Sequence, residues 1–434
     1  ILFFSFYTKK EIYAVKYISD ITIFKSINKK NINLPITYKN EILNENIKTV
    51  LCHKKEQQLS LSIINLESND KLLISFDDLD GDIKNYAYTI IHCNSDWSKS
   101  NLMQNEYIQG FNKEYISSYE FSFNTIQKYT HYEFEFPSKN MRPTLSGNYI
   151  FKIYEEETGK TIIYKRFMVL DPQIYIEANV RRATLVENRN TQHEIDFIIK
   201  HPNFIIADPY SDIKVHIKQN NREDNVIRNL KPQFIRNDEL IYDYEDGNTF
   251  WGNNEFRHFD FRSLRYQSER IKNIDFDSIY NYVYLFNDKE RAFEHYSIEQ
   301  DINGKFIIES QEAWDSSVES DYAFVNFKLS LNEITYGDLY LLGKFSDWEL
   351  KDEFKLSYNR KRKLYEGHLY LKQGYYNYHY AIKDTTKGRV NVNLIEGTHY
   401  ETRNDYYIYV YYRSVSDRYD RLIGFLKTSS KTLF

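Results

Sequence analysis

The chain of 434 residues is 41% hydrophobic and 27% charged, which excludes the low-hydrophobicity composition of a disordered polymer and leaves an ordinary folded protein. At roughly 150 residues per domain, the length corresponds to about three hydrophobic cores. The 62 acidic residues outnumber the 57 basic ones and give a net charge of -5, whereas a general nucleic-acid binder carries a basic excess to neutralise phosphates.

Residues 1–7 form an apolar run followed by Lys9, Lys10 and Glu11, and Ala14 is a small residue of the kind found at signal-peptide cleavage points. Residues 1–14 are therefore expected to be the tail of a secretory signal, although Ile12 is larger than the residue a signal peptidase prefers two places before the cut. No later stretch approaches the ~18 consecutive apolar residues that a membrane-spanning helix needs, so an exported protein without direct membrane insertion is expected.

From residue 15 onward, period-two alternation of β-branched and aromatic residues between short polar turns predicts strands. The first group covers 72–76, 86–93, 119–124, 132–136, 149–154 and 162–169. Asp171-Pro172 ends it, because proline lacks the amide that a ladder requires. A second group covers 174–180, 194–200, 212–219 and 240–244, then an aromatic block, then 282–286 and 305–309. A third covers 323–329, 338–342, 364–371, 375–382 and 405–412. The expected fold is all-β: consecutive immunoglobulin-like, or E-set, β-sandwich domains with long hairpins. They are placed as an N-terminal sandwich over 15–172, a central β domain over 173–310 and a C-terminal sandwich over 311–434. A weak internal repeat accompanies this pattern. Gly147, Tyr149, Phe151 and Ile153 share the spacing of Gly374, Tyr376, Tyr378 and Tyr380, with side chains at i, i+2 and i+4 lining one face.

The aromatic block spans 242–266, with Gly247 and Gly252 flanking Phe250 and Trp251. Stiff aromatic rings and arginines favour macromolecular contact because they lose little rotamer entropy on docking. Phe250, Trp251, Arg257 and Arg262 are accordingly candidate partner contacts, and Phe256, Phe259 and Phe261 are expected to pack. The same composition also fits a twisted hairpin whose alternate rings face its own core.

Signatures of catalysis are missing: the sequence holds no Gly-x-Ser-x-Gly elbow, no phosphate-binding Gly-rich loop ending in Lys-Ser/Thr and no His-Glu-x-x-His. No catalytic residue, cofactor or small-molecule substrate is expected. Asp77, Asp78, Asp80 and Asp82 cluster after a strand, but the spacing departs from an EF-hand loop and reads as a solvated turn. Cys52-His53 and His92-Cys93 could supply a zinc ligand set only if neighbouring side chains on a strand reached the same ion, which alternation opposes. Two buried free thiols are expected, with a disulfide as the alternative in an oxidising compartment. The run Gly343-Lys344-Phe345-Ser346-Asp347-Trp348 is similar to the Gly-x-Phe-x-x-Trp element of starch- and glycogen-binding sandwich modules, which makes Trp348 a candidate carbohydrate contact.

An ordered set of motifs spans most of the chain. It comprises His92-Cys93-Asn94-Ser95-Asp96-Trp97-Ser98, Tyr107-Ile108-Gln109-Gly110-Phe111, Tyr119-Glu120-Phe121-Ser122-Phe123-Asn124-Thr125, Ser146-Gly147-Asn148-Tyr149 and Arg166-Phe167-Met168-Val169. Gly252-Asn253-Asn254-Glu255-Phe256-Arg257, Lys372-Gln373-Gly374-Tyr375-Tyr376 and Glu401-Thr402-Arg403-Asn404-Asp405-Tyr406 continue it. Together, from about residue 45 to Gly424, they resemble the plug protein family of the type IX secretion system of gliding and secreting Bacteroidota. The resemblance implies a non-enzymatic periplasmic protein, peripheral to the outer membrane, that binds and closes the inner mouth of a large outer-membrane translocon barrel. A carbohydrate-binding exported protein using Trp348 is the alternative.

Overall fold

In the strand Leu72–Asp78, Leu72, Ile74 and Phe76 enter a hydrophobic core while Ser75 and Asp77 point the other way, and this period of two organises most of the molecule. The computed structural model describes residues 37–430 apart from 386, 387 and 389. The expected signal remnant at 1–14 lies outside the described residues. The described chain is all-β, with three sandwiches and only short helical turns.

The first sandwich packs two sheets. One has the order Glu41–Ile42, Thr161–Leu170, Gly147–Glu155, Tyr86–Cys93, Glu114–Ile116, and the other Ile47–Lys54, Leu72–Asp78, Thr130–Phe136, Ser118–Phe121. Phe136 meets Phe151 edge-on across the core, with ring centroids 5.0 Å apart. The second sandwich sets Tyr175–Arg182, Gln192–Lys200, Glu239–Tyr242 and Phe234–Arg236 against Ile227–Arg228, Ile213–Gln219, Asp405–Tyr412 and Arg421–Ser429. In the third, one long sheet doubles back on itself. Its strand Lys355–Asn359 pairs first with Gly337–Leu342 and then with Leu364–Lys372, enclosing Phe259, Phe327, Tyr376 and Tyr378.

This pairing corrects the expected domain borders. Arg257–Asp260 and Ile271–Phe276 belong to the third sandwich, whereas Asp405–Tyr412 and Arg421–Ser429 return from the far end of the chain to complete the second. Alternation determines which face of a strand is buried but carries no information on which strand lies beside it. Several strands also escaped the alternation pattern, the two longest being Ile47–Lys54 and Arg421–Ser429. Ile47–Lys54 is interrupted by a register shift at Thr49, whose φ is 50°, and Arg421–Ser429 sits against another shift at Val410.

The internal repeat has a structural counterpart. Tyr149 donates its hydroxyl to Leu145 O at 2.8 Å, and Tyr376 donates to Lys372 O at 2.7 Å, the same four-residue reach back along the chain. The preceding glycines are sterically required: a Cβ on Gly147 (φ 139°) would lie 2.7 Å from His92 Nε2, and one on Gly374 would lie 2.1 Å from Ile307 O.

Candidate docking surface

The polar face of Leu72–Asp78 is where the third sandwich docks. Asp77 Oδ2 accepts from Lys372 Nζ and from the Tyr322 hydroxyl, both at 2.6 Å, and Asp77 Oδ1 lies 2.7 Å from His131 Nδ1. Lys372 also donates to Ser317 O at 2.6 Å and stands over the Tyr129 ring at 4.2 Å. Burial alone would raise the Asp77 pKa, but the ammonium and the His131 bond hold it below the usual carboxylate value. Asp77 is closed to solvent, so the group ties two sandwiches together and presents no open carboxylate for acid–base chemistry.

The other joints are built the same way. Between the first and second sandwiches, Asp420 accepts from Ser95 N, Ser95 Oγ and Lys214 Nζ at 2.9, 2.7 and 2.8 Å, and Tyr411 donates to Asn148 Oδ1 at 2.9 Å. Between the second and third, Asn253 donates to Gln219 Oε1 at 3.0 Å, Asn254 to Glu396 O at 2.8 Å, and Asn404 to Gly252 O at 2.8 Å. A Cβ on Gly252 would lie 2.0 Å from His399 O, so only glycine lets the chain pass there. Just past this joint, inside the third sandwich, Arg257 donates to both Glu396 oxygens at 3.0 Å and to Asp288 Oδ1 at 3.0 Å. Burial would push the Glu396 carboxyl up, yet Arg257 and Arg291 bring it down to about 2. Thus the motifs at 92–98, 252–257 and 401–406 are the joints between sandwiches, and every one of them is dense in buried, partnered polar groups.

One group of outward aromatic side chains forms a patch across the first and third sandwiches. Glu114–Ile116 and Ser118–Phe121 are outermost strands of the two sheets of the first sandwich, and all of Ser118–Phe121 is exposed. Tyr119, Phe121, Phe123 and Ile126 stand free on this side. Asp321 connects them to the third sandwich, accepting from Ile126 N at 2.7 Å, Gln127 N at 3.1 Å and Asn281 Nδ2 at 3.2 Å. Exposed Phe276, Ile279 and Tyr280 immediately precede Asn281, and Tyr280 meets Phe324 edge-on at 5.2 Å. An unpaired strand edge flanked by exposed rings is the kind of surface that free-standing proteins usually protect with charge, proline or a bulge.

The candidate contacts from the aromatic block divide. Phe250 is 4% exposed and Trp251 50%, because adjacent residues of Thr249–Trp251 face opposite sides. Phe250 packs on Tyr406, and Arg257 is held inside the Glu396–Asp288 network, so these two are interior rather than surface groups. Trp251 remains outward, as does Arg262, paired with Asp260 at 2.7 Å and Glu309 at 2.8 Å. Phe256, Phe259 and Phe261 are buried. Trp348 is also interior, 5% exposed and packed against Arg222, Phe256 and the Gly304 backbone, so its ring is not displayed on the outer surface as a platform for a sugar. The exposed patch of the first and third sandwiches was not singled out from sequence, since its rings are spread over 119–126 and 276–280 and become neighbours only through Asp321.

Both cysteines are free and lie in different sheets of the first sandwich. Burial pushes the Cys52 thiol up to about 11 and the Cys93 thiol to about 12. His53 Nδ1 lies 2.9 Å from Lys54 O, and His92 Nε2 lies 3.2 Å from Ser146 O. Asp78, Asp80 and Asp82 converge, but the Lys84 ammonium sits among them, 2.9 Å from Asp78 and in contact with Asp80. Among the described residues, no helix is long and apolar enough to cross a membrane.

Residues 47–171, the first sandwich, match the family model of the type 9 secretion system plug protein first domain. The fold is similar to a crystal structure of a hypothetical protein from Parabacteroides merdae ATCC 43184, at 33% identity and a TM-score of 0.89, covering 91% of this chain and 100% of that one. No curated protein matches.

Proposed function

We propose that this chain, whose residues 47–171 match the type 9 secretion system plug protein first domain, is a non-enzymatic periplasmic protein of the type IX secretion system plug family that binds and closes the periplasmic mouth of the system's outer-membrane barrel translocon. The observation that carries this reading is the exposed aromatic patch lying across two sandwiches that a buried ion pair locks together. A plug must resist the passage of material without deforming, and three sandwiches joined through buried, partnered polar groups form a stiff body. Docking that can be reversed favours aromatic anchors within a polar rim over a wholly apolar face, and a standard interface needs about 800 Å² from each partner. Tyr119, Phe121, Phe123 and Tyr280 are the proposed anchors, with Trp251 and Arg262 as further contacts if the footprint extends to the second sandwich and its border.

Affinity purification of the tagged protein from its native envelope tests this directly. The large barrel is expected to co-purify, and recovery without it under conditions that preserve membrane complexes overturns the reading. Combined replacement of Phe121, Phe123 and Tyr280 by alanine is expected to reduce barrel recovery at least tenfold, while unchanged recovery moves the interface elsewhere. Loss of the gene is expected to make the envelope leaky to large, normally excluded antibiotics; unchanged permeability favours a scaffold without a sealing role.

A further inference from the structure

A cavity of about 720 Å³ lies between the first and third sandwiches. Its walls are strand edges. Every residue from 47 to 53 lines it, and since successive side chains on a strand point to opposite faces, an unbroken run of lining residues means that the edge itself borders the space. Ile47–Lys54 is outermost in its sheet and pairs only with Leu72–Asp78. Several of its outward groups are already used: Ile47 N by Asn44 O at 3.1 Å, Lys54 O by Gln57 N at 3.0 Å, and Cys52 O by Ser62 Oγ and Lys54 N by Ser60 Oγ, each at 2.7 Å. The open stretch therefore runs from the Ile47 carbonyl through the bulge to Leu51.

A second run, 368–372, lines the opposite wall. It belongs to Leu364–Lys372, which pairs along one edge with Tyr322–Ser330; on its other edge the pairing with Lys355–Asn359 stops at Glu366, and no strand of the described residues continues that edge. A third edge belongs to Phe306–Ile308. Here the side-chain amide of Gln58 takes the place of a peptide group, accepting from Ile308 N at 2.7 Å and donating to Ile308 O at 3.4 Å. The neighbouring bonds Glu309 N to Gln373 O and Asn377 N to Lys305 O put the odd residues against the sheet, so Phe306, like Ile308, turns its peptide groups outward.

We infer that this cavity is a strand-addition site for an extended peptide segment of another chain, carrying apolar side chains and a carboxylate. An extended residue occupies about 160 Å³ at a rise of ~3.3 Å, a strand spacing of ~4.8 Å and a layer thickness of ~10 Å, so the space takes about four or five residues, the length of the open edge at 47–51. The apolar walls are Phe306, Phe345 and Leu369. The polar end is cationic. Lys165 and Lys344 share Asp347 at 3.2 and 3.0 Å, while Lys305 reaches only Asp405, at 3.7 Å, and that carboxylate is already bonded to Lys427 at 3.0 Å and Ser429 at 2.7 Å. Trp348, which also lines the cavity, has a buried indole N–H with no partner. An incoming carboxylate would pair with the Lys305 ammonium, and its backbone would satisfy the open edges, the combination of main-chain affinity and side-chain selectivity found in strand addition. The inference stands independently of the translocon as partner.

The probe is a panel of blocked six-residue peptides alternating Thr with Val, Ile, Leu or Phe and carrying one central Glu, measured by fluorescence anisotropy with the whole protein. Saturable binding is expected, weakened at least tenfold by Glu to Lys in the peptide and at least tenfold by N-methylation of alternate amides. Lys305→Glu is expected to reverse the preference between Glu and Lys peptides. Should that variant fail to fold, Lys344→Glu, on the half-buried turn Lys344–Ser346, provides the same readout, and the N-methylated peptides need no variant. Absence of saturable binding across the panel overturns the proposal. So does equal binding of the N-methylated peptides, or binding of decanoate in place of any peptide, which would make the cavity a site for a small amphiphile.

Discussion

Lys372 Nζ lies 2.6 Å from Asp77 Oδ2 across the joint of the first and third sandwiches, with both side chains out of solvent. Each charge is tolerable there only because the other is present, and the pair therefore registers one sandwich on the other more than it adds net stability.

Lys372→Met is expected to cost about 3–5 kcal/mol, because Asp77 is left as an uncompensated buried charge. Pairing it with Asp77→Leu should recover much of that loss. Guanidinium unfolding of the two single variants and the double variant checks this: additive losses would mean that the two groups act separately.

Glu396 gives the acid limb of stability. Its folded pKa, about 2, is depressed from 4.5, so the stabilisation it contributes is fully present above pH 4.5 and is lost as pH falls through about 2. Glu396→Gln should lower stability at pH 7 by roughly 3 kcal/mol, by leaving Arg257 and Arg291 underpaired, and should flatten the acid limb. Thermal unfolding between pH 2 and pH 7 is the measurement.

Glu255 and Asp301, beside the Gly252 joint, act in the opposite sense. Burial raises Glu255 to about 7 and Asp301 to about 6, outweighing the bonds that Glu255 accepts from Tyr296 and Arg403 N. A carboxyl with a raised folded pKa binds extra protons on folding. Stability is therefore expected to rise as pH falls from above 7 towards 4.5, with Glu255→Gln removing much of the slope. A Tm that is flat across this window in the native protein would contradict the assignment.

Phe250 and Trp251 are adjacent yet should respond differently. Phe250→Ala leaves a cavity against Tyr406 and is expected to cost about 3–5 kcal/mol. Trp251→Ala should stay within about 0.5 kcal/mol, since half of the residue is already in water. Equal losses in denaturant would show that the Trp251 ring supports the fold.

Gly252→Ala should prevent the second and third sandwiches from joining normally, because the new Cβ meets the His399 carbonyl, a backbone atom that cannot swing aside. Loss of soluble protein, or of cooperative unfolding, is the expected readout.

Period-two alternation was enough to mark most strands, the all-β class and the equivalence of Tyr149 with Tyr376, since the spacing of residues on a strand dictates which of them share a face. The same rule implies that Phe250 and Trp251 point apart, but not which one enters the core; that was decided by the packing of Thr249–Trp251 on Gln192–Lys200 against Tyr406, more than 150 residues on along the chain. The motifs at 92–98, 252–257 and 401–406 belong to the ordered set of eight that carried the family resemblance, which the family model bears out over residues 47–171. That they are joints became legible only when Asp405–Tyr412 returned to pair with Ile213–Gln219, bringing Asn404 to Gly252 and Tyr411 to Asn148. By itself, then, the sequence determined local faces and the family resemblance. Tertiary structure alone decided which strands meet, and with them which aromatic rings stay exposed, because pairing between distant strands depends on complementary surfaces that no single segment encodes.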